Sequence, residues 1–423
     1  MTTPILTSSA AAPVLGAEAL RRIVREALHA IPPGARVLAV IPDKTRDDNT
    51  DLLFPMLSQE LAARRAAQFD ALVAQGTHPP MTEAEKRAKI GVATADLPLL
   101  GRIFDHHWDR ASELMTLGTI SADEIARLTN GLMRQDVPVQ LNKLLAPGNY
   151  DFIFVAGAVV PHEVAGFAGG AKYFFPGVAG PELTHLTHWL GALATIERVI
   201  GRVETPTRHV IEAAADRVIT PVVAFTSVST RTPEGLHTHA LFTGGLRETV
   251  RQAAAVSSQV HIRYVGRRYR RVVAILDEHY DEMWVGGKAS YKLGAIIEDG
   301  GELVVYAPHL KGISTTHGAM IEKYGYAPLE TVREMVEGSD ELRANLCVAA
   351  HLAHVSYAGR MGADGRVEPR YRITLASAIP EEVCRRVKLG FADWGSIDLD
   401  AARRDPDTLV VDHAGRDLYL VER

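Results

Sequence analysis

The sequence predicts an α/β protein made of two α/β domains with mainly parallel sheets. Its 423 residues are too many for one ordinary hydrophobic core, which favours two domains. Short apolar runs bounded by turn residues recur between helical patterns, as in RVLAVI (36–41) and FDALVA (69–74). A strand, a helix and a second strand within about 40 residues form a βαβ unit, and that unit requires parallel strands.

The individual elements follow from the same patterns. We expect helices over 17–31, Phe54–Ala67 and about Asp281–Asp299, and strands at VPVQLN (137–142), YDFIFVAG (150–157), RVVAIL (271–276), ELVVYA (302–307) and YRITLA (371–376). The last segment, 407–422, is typical of a hairpin with Ala414 and Gly415 in its turn. The basic segment HIRYVGRRYRR is interpreted as a connection, so residues 1–268 form the N-terminal domain and 269–423 the C-terminal one.

Composition narrows the class of protein. A formal net charge of -5 gives no indication of a nucleic-acid or membrane-surface partner. The two cysteines, Cys347 and Cys384, lack CxxC spacing, which argues against a thiolate zinc site and a disulfide framework. The N-terminal residues do not resemble a signal peptide and no segment is long enough to span a membrane, so a cytoplasmic enzyme is expected. With 17 histidines present, imidazole would be the ligand of any transition metal.

Three polar clusters each follow the end of a predicted strand. Asp43 and Arg46 follow the first strand, His78 the second, and His162 the strand at 150–157. Ligands of open α/β sheets bind at this carboxyl edge, where loops and helix N-termini converge. Arg46 could hold a carboxylate through two hydrogen bonds, or form a salt bridge that fixes a loop. His78 and His162 suit general acid or base roles, although each could be a structural histidine.

The segment PHEVAGFAGGAKYFFPGVAG (161–180) combines five glycines with a single lysine, Lys172. Open backbone N–H groups around residues such as Gly169 and Gly170 could bind phosphate, and Lys172 would add a charge or a nucleophilic amine. The spacing matches neither a P-loop nor a Rossmann fingerprint, and tight packing is the alternative. His185 and His188 stand three residues apart, which is a weak indication of half a metal site. HTH (237–239) and DHHWD (105–109) are interpreted as structural.

Taken in order, these motifs resemble the lactate racemase family. The resemblance rests on Asp43–Arg46 (DKTR), Gly76–His78 (GTH), nearly all of 161–180, and His188, with a weaker continuation at WVGGKA (284–289). It implies a nickel-pincer nucleotide, which is a nicotinate-derived mononucleotide whose pyridinium ring holds nickel through a carbon and two sulfur atoms. The glycine segment, with Gly169 and Gly170, would cup this cofactor.

The resemblance also implies a role for each matching residue. His188 would complete the nickel coordination, Lys172 would bond to one arm of the cofactor, and Asp43 would support it. His78 and His162 would act as acid and base on opposite faces of the substrate. Arg46 would hold the substrate carboxylate, with Lys288 and Trp284 also on the substrate side.

The implied activity is racemisation or epimerisation at C2 of a 2-hydroxy acid. One histidine would remove the hydroxyl proton while the C2 hydride passes to the cofactor, and the bound 2-keto acid would receive the hydride on either face. The implied site lies in the cleft between the domains, which would close over the substrate. The implied partners are the small 2-hydroxy acid and the enzymes that synthesise the cofactor.

Two departures from the family pattern indicate a substrate other than lactate. Asp47, Asp48 and Asn49 follow the DKTR motif in place of the usual proline, and Trp284 and Val285 replace a tyrosine and a glutamine. The two carboxylates could bind hydroxyls of a sugar acid, or they could be solvated helix-cap residues beside a more apolar pocket. Two other classes remain open: a conventional metalloenzyme using His185 and His188, such as a lyase or isomerase, and a non-catalytic carrier of the nickel cofactor.

Overall fold

The structure, a computed structural model, describes residues 13–92 and 97–422. These residues form two compact units. The first unit contains the described residues up to Thr187 together with Arg202–Val260, and the second contains His188–Gly201 and the chain from His261 onward. The sequence gives no sign that the short piece His188–Gly201 belongs with the C-terminal residues. Searched over its described residues, the chain has no helix long and apolar enough to cross a bilayer.

The first unit is built on a six-stranded sheet. Its strands lie in the spatial order Gly235–Gly244, Val222–Thr232, Phe152–Ala158, Arg36–Pro42, Gln68–Ala74 and Ile103–Phe104, and all neighbours are parallel except the first two. Successive strands run outward from Arg36–Pro42 on one side, and the chain then returns to place Phe152–Ala158 on the other. The loops after these two strands therefore flank a topological switch point, which is where open α/β sheets bind ligands.

Aromatic rings pack between the strands of this sheet and between the sheet and a covering helix. Phe54 stacks on Phe69 at 4.6 Å between ring centres, and Phe154 packs edge-on against Phe225 at 5.2 Å. The helices are Ala17–Ala27, Thr50–Ala63, Glu83–Lys89, Ala122–Leu128, Pro181–Leu193, Pro206–Ala215 and Leu246–His261. Leu114–Ile120 and Val137–Asn142 form an antiparallel pair, as do the short strands Pro161–His162 and Gly166–Phe167.

The second unit has a five-stranded sheet that is parallel throughout. Its strands lie in the order Gly390–Ala392, Arg372–Ser377, Ile297–Ala307, Tyr269–Ile275 and Thr408–Val411. The helices are Ile196–Val199, Met283–Gly286, Lys288–Leu293, Gly318–Tyr324, Leu329–Gly338, Asp340–Ala344, Leu346–Ser356, Glu381–Arg386 and Leu399–Arg404. The predicted α/β class with mainly parallel sheets is therefore confirmed.

The predicted C-terminal hairpin is wrong. Gly415 does have a turn conformation, with φ +90°, but the flanking strands do not pair with each other. Thr408–Val411 joins the main sheet beside Tyr269–Ile275, and Leu418–Leu420 pairs with Ile262–Tyr264, both in parallel. Turn chemistry is local, whereas the partner of a strand depends on distant segments.

The single helix expected from Asp281 to Asp299 is also wrong, because glycines divide it. Met283–Gly286 ends at Gly287, where a Cβ would lie 2.9 Å from Val355, and Lys288–Leu293 ends at Gly294. A Cβ on Gly294 would lie 2.4 Å from the ring of Tyr357. Close packing therefore requires glycine where the apolar periodicity alone predicts a continuous helix.

Candidate functional site

Asp43 and His78 form a hydrogen-bonded pair in the first unit. Nδ1 of His78 lies 2.6 Å from Oδ2 of Asp43, and the other carboxylate oxygen accepts hydrogen bonds from N and Oγ1 of Thr45 at 2.9 and 2.6 Å. Burial alone would raise the pKa of Asp43, but His78, Arg46 and Thr45 together hold that pKa well below its usual range. An ionised carboxylate can only accept, so Nδ1 carries the proton and Nε2 keeps a lone pair in the neutral ring.

Backbone hydrogen bonds bring the His78 loop against the glycine-rich segment. The amide of Gly76 donates to the carbonyl of Gly177 at 2.9 Å, and Gly76 has φ +57°, a conformation that glycine adopts without strain. Nε2 of His106, from the DHHWD motif, lies 2.9 Å from the carbonyl oxygen of Ala179 in the same segment. The GTH motif and the glycine-rich segment 161–180 therefore lie together at the carboxyl edge of the first sheet.

His162 is buried, and two neighbouring groups lie close to its Nδ1 atom. The amide of Val164 donates to this nitrogen at 3.1 Å, which requires a lone pair there. Oε2 of Glu163 lies 3.5 Å from the same nitrogen. Both contacts fix the orientation of the His162 ring within the glycine-rich segment.

Lys172 is partly buried and lies close to these groups. Burial is the main cause that lowers the pKa of Lys172 to about 7; Arg46 and Arg208 lower it further, while Glu163 and Asp43 raise it. A large part of the Lys172 population is therefore an uncharged amine at neutral pH. Such an amine is a nucleophile, which the surface form of lysine is not.

The lowered pKa of Lys172 predicts a pH-dependent stability. Between pH 7 and the ordinary value of 10.5 the unfolded chain holds a proton on Lys172 that the folded chain lacks, so stability rises with pH in this window. Below pH 7 the cost of burying the charge is fully present. Lys172→Met removes that cost, so this variant should exceed the wild type in stability at pH 6 and lose the advantage as the pH approaches 10. Denaturant unfolding of both proteins across this range measures the difference; a difference independent of pH contradicts the assignment.

The glycines predicted to cup the cofactor have a packing reason to be glycine. Gly169 has φ +89° and a Cβ there would lie 2.6 Å from Cγ2 of Val159. Gly170 has φ +62° and a Cβ there would lie 2.3 Å from Cγ2 of Val250. Tight packing, the alternative to a phosphate nest, therefore accounts for both residues without a ligand.

Gly169→Ala should consequently destabilise the fold. Gly148 has the same φ of +89° but nothing within 4 Å of its Cβ position, which makes Gly148→Ala a matched control for backbone strain alone. Overpacking against Val159 should make Gly169→Ala less stable than the control by about 1–3 kcal/mol. Equal midpoints of denaturant unfolding for the two variants would contradict this prediction, because they would show that Val159 can move aside without a measurable loss of stability.

Arg208 is a buried cation that the sequence does not reveal. Its side chain is 0% exposed, and Nη2 donates to the carbonyl of Phe167 within the glycine-rich segment. Nε and Nη1 are buried and have no hydrogen-bond partner in the protein. Unpaired buried donors cost free energy, so this guanidinium is suited to an anionic ligand group that would accept from them. Arg208 lies on the helix Pro206–Ala215, outside every motif, so no spacing signal could have found it.

The residues that follow DKTR are bound within the protein. Both oxygens of Asp47 accept from Nε of Arg231, at 2.7 and 2.8 Å. Asp48 is buried, accepts from the amide of Thr50 at 2.9 Å and lies 3.0 Å from Nζ of Lys89. Asp48 precedes the N-cap residue Asn49 and is buried, so the alternative in which it is a solvated helix-cap residue is wrong.

In the second unit, Trp284 lies between two histidine rings. Ring centres of His317 and His351 lie 4.4 and 4.3 Å from that of Trp284. Burial, followed by the positive charges of His354, His317 and His188, lowers the pKa of His351 well below its usual value. The structure therefore gathers His188 and Trp284 into one histidine cluster, to which His317 and His351 were not assigned from sequence.

Lys288 lies against a loop of the second sheet. Its Nζ is 5.0 Å from the ring centre of Tyr280. A Cβ on Gly415 would lie 3.2 Å from Cβ of Lys288, so the turn after Thr408–Val411 packs directly on this lysine. Lys288 therefore belongs to the carboxyl edge of the second sheet.

Fold and site define a two-unit α/β protein with histidines and a partly buried lysine at the switch point of a mostly parallel sheet. Residues 15–199 match the lactate racemase N-terminal domain. Lactate racemase of Thermoanaerobacterium thermosaccharolyticum is 28% identical over 153 residues, which are 36% of this chain and 32% of that protein. The aligned part thus spans about a third of the racemase.

Solved structures extend the similarity to nearly the whole chain. A Thermotoga maritima protein superposes with a TM-score of 0.88 at 30% identity, covering 96% of this chain and 98% of its own. The lactate racemase apoprotein of Thermoanaerobacterium thermosaccharolyticum superposes with a TM-score of 0.66 at 17% identity, over 95% and 92% of the two chains, and shows the shared fold. The similarity to lactate racemases thus covers residues 15–199 in sequence, and the fold is shared over nearly the whole chain.

Proposed function

We propose that this protein is a racemase or epimerase acting at C2 of a 2-hydroxy acid with a nickel-pincer nucleotide as its cofactor. The observation that carries the proposal is the 2.6 Å hydrogen bond between Asp43 and His78 at the switch point of the first sheet. A buried carboxylate that orients an imidazole is the arrangement of a general base. The match of residues 15–199 to the lactate racemase N-terminal domain supports racemase chemistry in preference to other uses of such a pair.

The residues of the first unit fit a phosphate-bearing, electrophilic cofactor. Arg208 has two buried donors without partners, suited to a phosphate group, and Lys172 is available as an uncharged amine for a covalent bond. When bound, the cofactor would supply the acceptor and donor of hydride that a 2-hydroxy acid needs at C2. We propose His188, from the second unit, as the protein ligand of its nickel.

The proposed mechanism assigns the proton transfers to the two histidines. Nε2 of His78 would take the hydroxyl proton of one enantiomer, with Asp43 stabilising the imidazolium through Nδ1. His162 would serve the hydroxyl of the other enantiomer, because that group points to the opposite side of C2. Arg46 would hold the substrate carboxylate by a bidentate pair, and Lys288 would approach from the second unit. Closure of the domains, the boundary at residue 268 and a site in the cleft stay predictions.

The carboxylates that follow DKTR are hydrogen-bonded within the protein, which makes a sugar acid a less suitable substrate. Asp47 and Asp48 already accept from Arg231, Lys89 and the Thr50 amide, so they have little capacity left for sugar hydroxyls. With Trp284 and Val285 as the remaining departures, we propose an aliphatic or aromatic 2-hydroxy acid, with lactate not favoured.

The test is racemisation by protein produced together with the cofactor-synthesis enzymes. Single enantiomers of lactate, larger aliphatic, aromatic and sugar 2-hydroxy acids are incubated with it, and the products are separated by chiral chromatography. We expect conversion of an aliphatic or aromatic acid at a higher kcat/KM than lactate. Nickel-loaded protein that converts none of them would instead support a carrier of the cofactor, and activity with nickel or zinc alone would support the conventional metalloenzyme.

A further inference from the structure

A cavity of about 670 Å³ opens at the amino edge of the second sheet. The cavity is lined by Arg271, Glu302, Arg372 and Thr408, among others. These four residues lie side by side on four adjacent strands, at the end where those strands begin to pair. The proposed catalytic residues belong to the carboxyl edges of the two sheets. The cavity is therefore separate from the site described above, and its volume is within the range of small-molecule sites.

Positive side chains outnumber negative ones in its lining. Six cationic residues contribute, namely Arg270, Arg271, Arg360, Arg370, Arg372 and Lys388, against the three acids Glu302, Asp405 and Asp407. The acids are already engaged. Oε1 of Glu302 accepts from Nε and Nη2 of Arg372 at 3.1 and 2.8 Å, and Asp405 accepts from Oγ1 of Thr408 at 2.7 Å and the amide of Asp407 at 3.0 Å.

Several of the cations retain donors for a ligand. Within the part of the chain that the structure describes, Arg270 and Lys388 form no ion pair. Nε of Arg271 and Nε of Arg370 are buried and make no hydrogen bond, although carboxylate oxygens lie 3.4 and 3.5 Å away. The Arg370 side chain is only 8% exposed, so water satisfies it poorly.

A concave, positively charged lining with unsatisfied guanidinium donors is matched to a multiply charged oxyanion. Guanidinium groups bind phosphate through paired N–H donors, and an ammonium group such as that of Lys388 adds a point charge. The volume exceeds that of a single phosphate group, so it also accommodates an organic part or a second phosphate.

We propose that this cavity is a second ligand site, which binds a small phosphate-bearing molecule with at least two negative charges. The proposal does not depend on the racemase function, because none of the residues involved takes part in it. Binding requires neither nickel nor the cofactor, so it is measurable on the full-length protein as produced without them.

Calorimetric titration with pyrophosphate, AMP and inorganic phosphate tests the proposal, at an ionic strength held constant with sodium chloride. Lys388→Glu and Arg270→Glu reverse two exposed charges that lack ion-pair partners, and both variants should fold. Arg333→Glu is the matched control, since Arg333 is exposed on the helix Leu329–Gly338 and does not line the cavity. Each cavity variant should weaken binding at least tenfold, and the control should bind like the wild type.

Each outcome decides the assignment. Tighter binding of AMP than of pyrophosphate identifies a ligand with an organic part, and the reverse order identifies a polyphosphate; both support the site. Absence of binding by all three probes at millimolar concentration overturns it. Equal affinity in the wild type and the cavity variants, or an equal loss in the Arg333→Glu control, overturns it as well, because the interaction would then be non-specific.

Discussion

Asp43→Asn should reduce the racemisation rate per bound nickel by about 10²–10⁴-fold. The carboxylate of Asp43 accepts from Nδ1 of His78 at 2.6 Å and thereby leaves the Nε2 lone pair available to the substrate hydroxyl. An amide in this position can donate as well as accept, so it no longer fixes the tautomer or stabilises the imidazolium. The rate is measured on loaded protein with the acid that the wild type converts fastest.

Asp47→Asn is the matched control for Asp43→Asn. Asp47 belongs to the same loop and is also a carboxylate with a hydrogen-bonded partner, but that partner is Arg231 and not a proposed catalytic group. Its rate should stay within tenfold of the wild type. Full activity per nickel in the Asp43→Asn protein, with an unchanged thermal midpoint, would remove the Asp43–His78 pair from the mechanism.

The second large effect concerns retention of the cofactor. Lys172→Met should lower the nickel that remains after extensive dialysis by at least tenfold, because the side chain proposed to bond to the cofactor is missing. Lys172→Arg should lose it as well, since a guanidinium stays protonated and is a poor nucleophile. Metal analysis after dialysis measures this loss, and Lys143→Met, at an exposed lysine outside the site, should retain nickel like the wild type. Stoichiometric nickel in both Lys172 variants would show that Lys172 is not needed to retain the cofactor.

Sequence patterns predicted the first sheet well where strands are continuous apolar runs. Arg36–Pro42 and Gln68–Ala74 lie within one residue of the expected strands, since each is buried on both faces. The carboxyl-edge argument also anticipated that Asp43 and His78 share one location. The antiparallel pair formed by Val222–Thr232 and Gly235–Gly244 was not predicted. The β-branched run that begins at Val222 is a signal from which the first of these strands could have been predicted.

Other parts of the site depend on packing that no local pattern encodes. Arg208 and His351 lie on helices, where a polar residue predicts a solvated face, yet both are buried by contacts with distant segments. The glycines of 161–180 were expected to open the backbone to a ligand, and the structure adds a packing reason that the pattern does not show, since a Cβ on Gly169 or Gly170 would meet Val159 or Val250. Composition shows which residues are unusual, but only the fold shows what each one touches.

The most direct test of the proposed function is metal analysis combined with intact-mass and peptide-mass measurement of wild-type protein made alongside the cofactor-synthesis enzymes. We predict one nickel per chain and an added mass on the peptide that contains Lys172. Metal-free protein of unmodified mass, under conditions that load a lactate racemase, would contradict the assignment of this chain as a nickel-pincer enzyme.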